Sequence, residues 1–379
     1  MKNSGWRTSS RMTATAFRTS GTLTLESGGA IMVGPNTAMT YEGGIIAETG
    51  VLFLQPGSTM ILESDLSIDG PSIELLGASI LQNDTEEVVI GPASGLALLS
   101  DSGLAEVEPP LILDGTLVAF GSDSRVADLT VGPTGTVLVG GSLVTRNVDN
   151  SGTISLSGGI ETRFGPGDAN ASITNRQFAG IQLTAGGNRI LNGQLINEGS
   201  VNVTGPSELH RVDAQGTPVT ASHVNVNTGS ITLALGGSFD IELGGSSPTP
   251  TFTNSGSLSV WPGSTLSVTN LATPAGQFIT TELSSLYGGG TVDVTSGTPT
   301  VVHNGTIGAD GVGTLTWLGP LPVGPDGVLQ FVLEGTTPGT GHDQINVSAT
   351  LSLDGTLQVT SPSFVPANGD RFAVMTFGA

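Results

Sequence analysis

One short phrase recurs along the chain: a glycine, then Ser or Thr, then an apolar residue, any residue, and a second apolar residue. It begins at Gly21 (GTLTL), Gly152 (GTISL), Gly199 (GSVNV), Gly229 (GSITL), Gly256 (GSLSV), Gly290 (GTVDV), Gly313 (GTLTW) and Gly355 (GTLQV), with close variants at Gly115 and Gly135. Each copy reads as a turn glycine followed by a short period-two strand, apolar on one face and Ser, Thr, Asn or Asp on the other. A longer unit repeats as well. Residues 50–62 (GVLFLQPGSTMIL) align with 256–268 (GSLSVWPGSTLSV), and residues 21–33 (GTLTLESGGAIMV) keep the glycines and the apolar spacing. A unit this small cannot bury its apolar face alone, so repetition implies stacking. Asn150, Asn197, Asn227, Asn254 and Asn304 open several units, at intervals of 47, 30, 27 and 50. The long intervals are close to two short ones, which predicts coils of about 23 to 30 residues.

Helices are excluded by pattern. Apolar residues do not recur at three- and four-residue spacing over any long window, and Gly or Pro interrupts nearly every ten-residue stretch. A β-sandwich need not reuse one phrase along a chain, whereas a solenoid must. The expected fold is therefore all-β, a right-handed parallel β-helix with a narrow interior of Leu, Ile and Val. The scarcity of large rings, 12 Phe, 3 Trp and 2 Tyr, suits such an interior. Residues 1–20 are expected to form a disordered or incomplete leader, residues 21–338 the β-helix repeats, and residues 339–379 the end of the helix and its capping segment.

Charge and composition remove many chemistries. The 379 residues carry 11 Lys and Arg against 32 Asp and Glu, a net charge of −21, which repels phosphate backbones and anionic lipid surfaces. Nucleic acid is not an expected partner. Lys2 is the only lysine, so Schiff-base, P-loop and Ser-Lys chemistry have no residue to use in a folded core. With no cysteine, thiolate nucleophiles, iron-sulfur clusters and disulfides are absent. Lys2, Arg7, Arg11 and Arg18 all precede the first acid, Glu26, yet no apolar h-region follows, so a secretory signal is not visible. No apolar run approaches the length of a membrane-spanning helix, about 18 residues. The abrupt stop beside the alternating run Phe372–Phe377 suggests a fragment.

Residues 308–379 order their phrases as a Gly-Thr-Leu strand, a Gly-Val-Leu-x-Phe-x-Leu strand, Gly-x-Asp-Gln-Ile-x-Val, Leu-x-Gly-Thr-Leu-x-Val and Gly-Asp-x-Phe-x-Val. This segment resembles the C-terminal end of autotransporter-like passenger domains and related bacterial β-helix surface proteins. Over the preceding part of the chain only the repeat style is shared. The resemblance implies an exported right-handed β-helix acting at the cell surface as an adhesin or display scaffold, in the setting of an outer membrane. The chain departs from that pattern in lacking a visible signal peptide, a membrane barrel and a sorting tail.

Candidate chemistry is sparse. Gly339–Asn346 (GTGHDQIN) matches most of a calcium-binding nonapeptide, but such repeats bind calcium between stacked copies and a single copy is present. Asp343 is expected instead to accept backbone N–H bonds at a turn. In Phe239-Asp240-Ile241-Glu242-Leu243, alternation puts Asp240 and Glu242 on the outward face about 6.6 Å apart, the lower edge of an inverting glycosidase pair. Any solvated strand of an acidic protein displays the same arrangement, and Glu63, Asp65 and Asp69 form a similar row. His210, His223, His303 and His342 lack metal-site spacing, although stacking can join distant residues. No nucleophile elbow or triad phrase occurs. Pectate-lyase-like and polygalacturonase-like enzymes share the architecture but need acids with Lys or Arg in one groove, and here Arg125, Arg146, Arg163, Arg176, Arg189, Arg211 and Arg371 are scattered. Trp261 is expected to cover a coil corner rather than stack on a sugar, and Trp317, in phase with Leu315, to be core.

No catalytic, cofactor-binding or metal residue is therefore assigned. The expectation is a non-enzymatic, extracellular or cell-surface β-helix with glycans or neighbouring cell surfaces as partners. The alternative is a polysaccharide lyase or glycoside hydrolase on the same scaffold, whose groove would collect three or more acids and an arginine from neighbouring coils. A third possibility is a piece of a longer passenger whose activity lies elsewhere.

Overall fold

The computed structural model describes residues 10–12, 16–19, 23–24, 28–44, 46–47, 49–82, 85–157, 162–166, 172–210, 224–245, 249–272, 275–309 and 311–378. The fold is an all-β parallel β-helix. Among the described residues the only helical turn is a three-residue 3-10 segment, Ser100–Ser102. The chain divides into two compact units, Met1–Gly167 with Ala171–Gln182, and Asp168–Asn170 with Leu183–Ala379.

In each unit a coil contributes strands to three parallel ladders. The first ladder of the first unit runs Ala30–Val33, Val51–Leu54, Ser72–Leu76, Gly95–Leu99, Thr116–Phe120, Thr136–Val139 and Thr153–Leu156. The corresponding ladder of the second unit runs Ser200–Val203, Ser230–Leu233, Ser257–Val260, Ser285–Tyr287, Thr306–Gly308, Val328–Val332 and Thr356–Thr360. Alternation fixes the register, because a one-residue slip would turn every apolar side chain to solvent. Leu52, Ile73, Leu96, Leu117, Val137 and Ile154 lie one above another and are buried, as are Val201, Ile231, Leu258, Leu286, Ile307 and Leu329. Each such side chain contributes roughly 1.5–3 kcal/mol by burial. Trp317 joins this interior, stacked 6.4 Å from Phe278, with its indole N–H donated to the Pro320 carbonyl.

The recurring glycine has a steric cause. A Cβ at Gly229 would collide with the carbonyl oxygen of Gly199, and one at Gly256 with that of Gly229. Neither glycine has a positive φ. What the corner demands is close approach between successive coils, not left-handed backbone.

The asparagines also stack. Asn197 donates from Nδ2 to Asn227 Oδ1 at 2.7 Å, and Asn227 to Asn254 Oδ1 at 2.6 Å, while the same amide groups donate to the Ser230 and Ser257 carbonyls at 3.1 and 3.2 Å. Asn150 donates to Asn175 in the same manner at 2.8 Å in the first unit. These amides are fully buried, so the ladder replaces the water that corner carbonyls would otherwise need. Asn304 does not join it. The rungs above Asn254 are Thr280 and His303, whose Oγ1 and Nδ1 are hydrogen-bonded.

Two sequence expectations change. Coils are shorter than expected in much of the first unit, where Thr116 pairs with Thr136 and Thr136 in turn with Thr153. Four of the five asparagine markers came from the second unit, whose coils are longer where Ser200 pairs with Ser230 and Ser230 with Ser257. Within the stretch read as a leader, Ser10–Met12 and Ala16–Thr19 are strands paired with Ala30–Val33 and Ala38–Tyr41, so coil pairing precedes Gly21. The other residues of 1–20 lie outside the described set. In residues 351–360 the strand Thr356–Thr360 continues the ladder, but Leu357 and Val359 are 42% and 47% exposed.

Replacing Asn227 by Leu removes a donor and an acceptor from the buried ladder. Urea unfolding followed by circular dichroism is expected to show a loss of about 2–3 kcal/mol, and Leu258→Ala about 2–5 kcal/mol. Burial pushes His303 down to about 4 from its ordinary 6.5. The unfolded chain therefore binds the proton first as pH falls, and stability is lost as pH drops from about 6.5 to about 4. In His303→Asn that part of the acid sensitivity is expected to vanish from thermal melts taken across the same range.

Candidate functional site

The second ladder of the second unit includes Pro206–His210, Ser238–Leu243, Thr265–Asn270 and Thr291–Asp293. Leu209, Phe239, Ile241 and Leu243 point inward, so Glu208, Asp240 and Glu242 point outward. Register places Glu208 beside Asp240, Glu242 beside Thr269, and Asp293 beside Ser267 one coil further on. Parallel neighbours sit about 4.8 Å apart, so stacking converts an acidic row into a column of like charge.

The column is held by specific contacts. Asn188 donates from Nδ2 to Glu208 Oε1 at 2.6 Å, and Thr269 from Oγ1 to Asp240 Oδ1 at 2.9 Å. His210 Nδ1 lies 3.5 Å from Glu208 Oε2 and 3.7 Å from Glu242 Oε2. Burial, then the negative charges of Asp240 and Glu208, raise Glu242 from 4.5 to about 7. Asp240 is raised as well, by burial first and by Glu208 and Asp293, against the lowering hydrogen bond from Thr269. Near neutral pH the column therefore sets Glu242, with its midpoint near 7, beside two further carboxyl groups and an imidazole. That is a set of groups able to give and take a proton.

The sequence pointed to Asp240 and Glu242 but not to Glu208, His210 or Asp293. The signal was present in the outward parity of Ser207-Glu208-Leu209-His210. It was hidden because residues 211–223 separate this strand from the next coil, and the offset between coils could not be counted. Arg211 and His223 lie outside the described residues.

The other candidates disperse into structural roles. Glu63, Asp65 and Asp69 lie on the outer face, and Asp65 and Asp69 accept the backbone N–H groups of Glu87 and Ala93 in the following coil at 3.0 and 3.2 Å. Asp343 is fully buried and accepts N–H bonds from Val332 at 2.7 Å and Gly313 at 3.1 Å, one on each oxygen. His303 lies inside the coil, and His342 is buried with its ring edge-on to Phe372. Trp261 sits in a turn and is 48% exposed. Arg125, Arg146 and Arg176 pair with Asp123, Asp128 and Asp149 on the surface of the first unit. Arg189 is unlike these three: it is fully buried in register with inward Ser207 and donates from Nη2 to the Ala185 carbonyl at 3.0 Å. Among the described residues no group of three or more His, Asp or Glu is arranged to hold a metal ion, and no helix is long and apolar enough to cross a membrane.

The chain matches no protein-family model and no curated protein. Its class is accordingly that of the fold, a parallel β-helix bearing an outward acidic column.

An acid whose folded value is raised loses stability as pH climbs, here from about 4.5 through about 7. Glu242→Gln is expected to be more stable than the parent at pH 8, by an amount on the order of 2 kcal/mol, and indistinguishable at pH 4. Carboxyl-carbon NMR is expected to place the Glu242 midpoint near 7, moving down in Asp240→Asn and in Glu208→Gln.

Proposed function

We propose that this protein is a non-enzymatic β-helix scaffold acting outside the cell or at its surface, in adhesion or display. The observation that carries the reading is the division of labour along the described coils of each unit. Within each unit, inward positions are spent on an apolar and amide core, and outward positions form a regular polar lattice. A lattice of this kind binds through many weak, repeated contacts, and repetition multiplies affinity without requiring any single strong site. The likeness of residues 308–379 to autotransporter-like passenger segments supports the surface setting, and the charge of −21 argues against nucleic acid as a partner. Purified protein is expected to bind cells or immobilised glycans in a saturable manner. Blank binding assays together with depolymerisation of a polysaccharide would overturn this reading.

A second reading, a glycan-cleaving enzyme, is favoured by one observation: Glu242, held near 7, stands close to Glu208 and His210. Three acids from two coils meet there, joined by a histidine where pectate-lyase-like sites use Lys or Arg. If the column is catalytic, reducing-sugar release should fall at least a hundredfold in both Glu242→Gln and Glu208→Gln while the melting curves stay cooperative.

A further inference from the structure

The first unit carries a groove on the outer face of its second ladder. It is formed across the strands Ser79–Gln82, Ala105–Val107, Ser124–Val131 and Ser142–Asn150, with a volume of about 360 Å³. Its polar walls are Gln82, Glu106, Glu108, Arg125 and Arg146, and Val144 supplies an apolar side chain. The volume lies in the lower part of the range for small-molecule pockets, roughly 300–1,000 Å³.

The hydrogen-bonding capacity left over in this groove defines what fits it. Arg125 gives Nε to Asp123 and Arg146 gives Nη2 to Asp128, each at 2.9 Å. A guanidinium has five N–H donors, so both forks keep donors in reserve. Glu106 stands in register with Arg125 and takes no hydrogen bond from it, since Arg125 turns to Asp123. Among the described residues Glu108 accepts a single long contact, from the Gln82 backbone N–H at 3.4 Å. Donor-only and acceptor-only groups with unused capacity therefore line the same groove.

Charge then selects among ligands. The lining carries two carboxylates, Glu106 and Glu108, against two guanidinium groups, Arg125 and Arg146, so it has no net charge to select an organic cation, and Asp123 and Asp128, paired with the arginines, count further against a carboxylated or sulfated ligand. A hydroxyl group escapes both penalties, because it donates to a carboxylate and accepts from a guanidinium at once. Neighbouring hydroxyls on a ring can engage a Glu and an Arg held about 4.8 Å apart on adjacent rungs, with the C–H face of the ring against Val144. We propose that this groove binds a neutral saccharide. The proposal rests on the surface-binding reading for its biological setting, and it names the ligand class and the place of contact.

The test uses the full chain on an array of neutral and acidic oligosaccharides, followed by titration of the best neutral hit against the parent, Glu106→Gln and Arg146→Gln. All three are first compared by thermal melting, and because both substitutions lie on the outer face, unchanged melts are expected. The proposal expects neutral hits, with affinity at least tenfold weaker in each variant. Exclusive binding of acidic glycans, or neutral binding that neither variant weakens, overturns the groove assignment while leaving surface binding intact. Absence of any glycan binding also overturns it, and a parallel cell-binding assay then decides separately whether the scaffold reading survives.

Discussion

Close stacking of one coil on the next governs this protein. Parallel strands must approach to about 4.8 Å for their backbone groups to pair, and that distance leaves no space for a side chain where the chain turns a corner. Gly229 and Gly256 meet the demand by presenting nothing toward the carbonyl beneath them. The corner also removes backbone carbonyls from water, and Asn197, Asn227 and Asn254 supply the missing donors. The recurring Gly phrase and the asparagine markers are thus two answers to the same steric and polar problem, a few residues apart in each coil.

That connection explains what could be read from sequence. Gly-(Ser/Thr)-apolar-x-apolar encodes both the turn and the inward face, so the fold was legible along most of the chain, as was the burial of Trp317 from its phase with Leu315. Coil length was not, because turns can gain or lose residues without changing the phrase. Thr136 finds its partner already at Thr153, whereas the chain leaving Ser200 makes a much longer circuit before it returns at Ser230. Asn304 shows the limit in miniature. It precedes Gly-Thr like the other markers, yet register gives the ladder position to its neighbour His303, since the strand Gln277–Thr280 sets the rung at Thr280.

The candidate site was half legible for the same reason. Alternation alone places Asp240 and Glu242 outside, but only register across coils brings in Glu208, His210 and Asp293. Arg189 stood in the sequence only as one of several scattered arginines. Its position in phase with Ser207 and Phe239 turns it inward, where carbonyl oxygens such as that of Ala185 take the place of solvent.

Stacking also forces an acidic chain to solve an electrostatic problem, because outward carboxylates on adjacent rungs become near neighbours. Three solutions occur. Asp149 is neutralised by a bidentate Arg176, with contacts of 2.8 and 2.9 Å. Asp65 and Asp69 are satisfied by backbone N–H groups, which carry no formal charge but orient a dipole toward the carboxylate, as they also do for the buried Asp343. Glu242 takes the third course and holds its proton to about 7. The first two solutions are complete in themselves and leave little for a ligand to do. Protonation is different, since anything that brings positive charge or hydrogen-bond donors to the column competes with that proton directly. The second-unit column and the first-unit groove are therefore unlike in kind: one responds to charge, and the other, lined by carboxylates and guanidinium groups with hydrogen-bonding capacity to spare, responds to hydroxyl geometry.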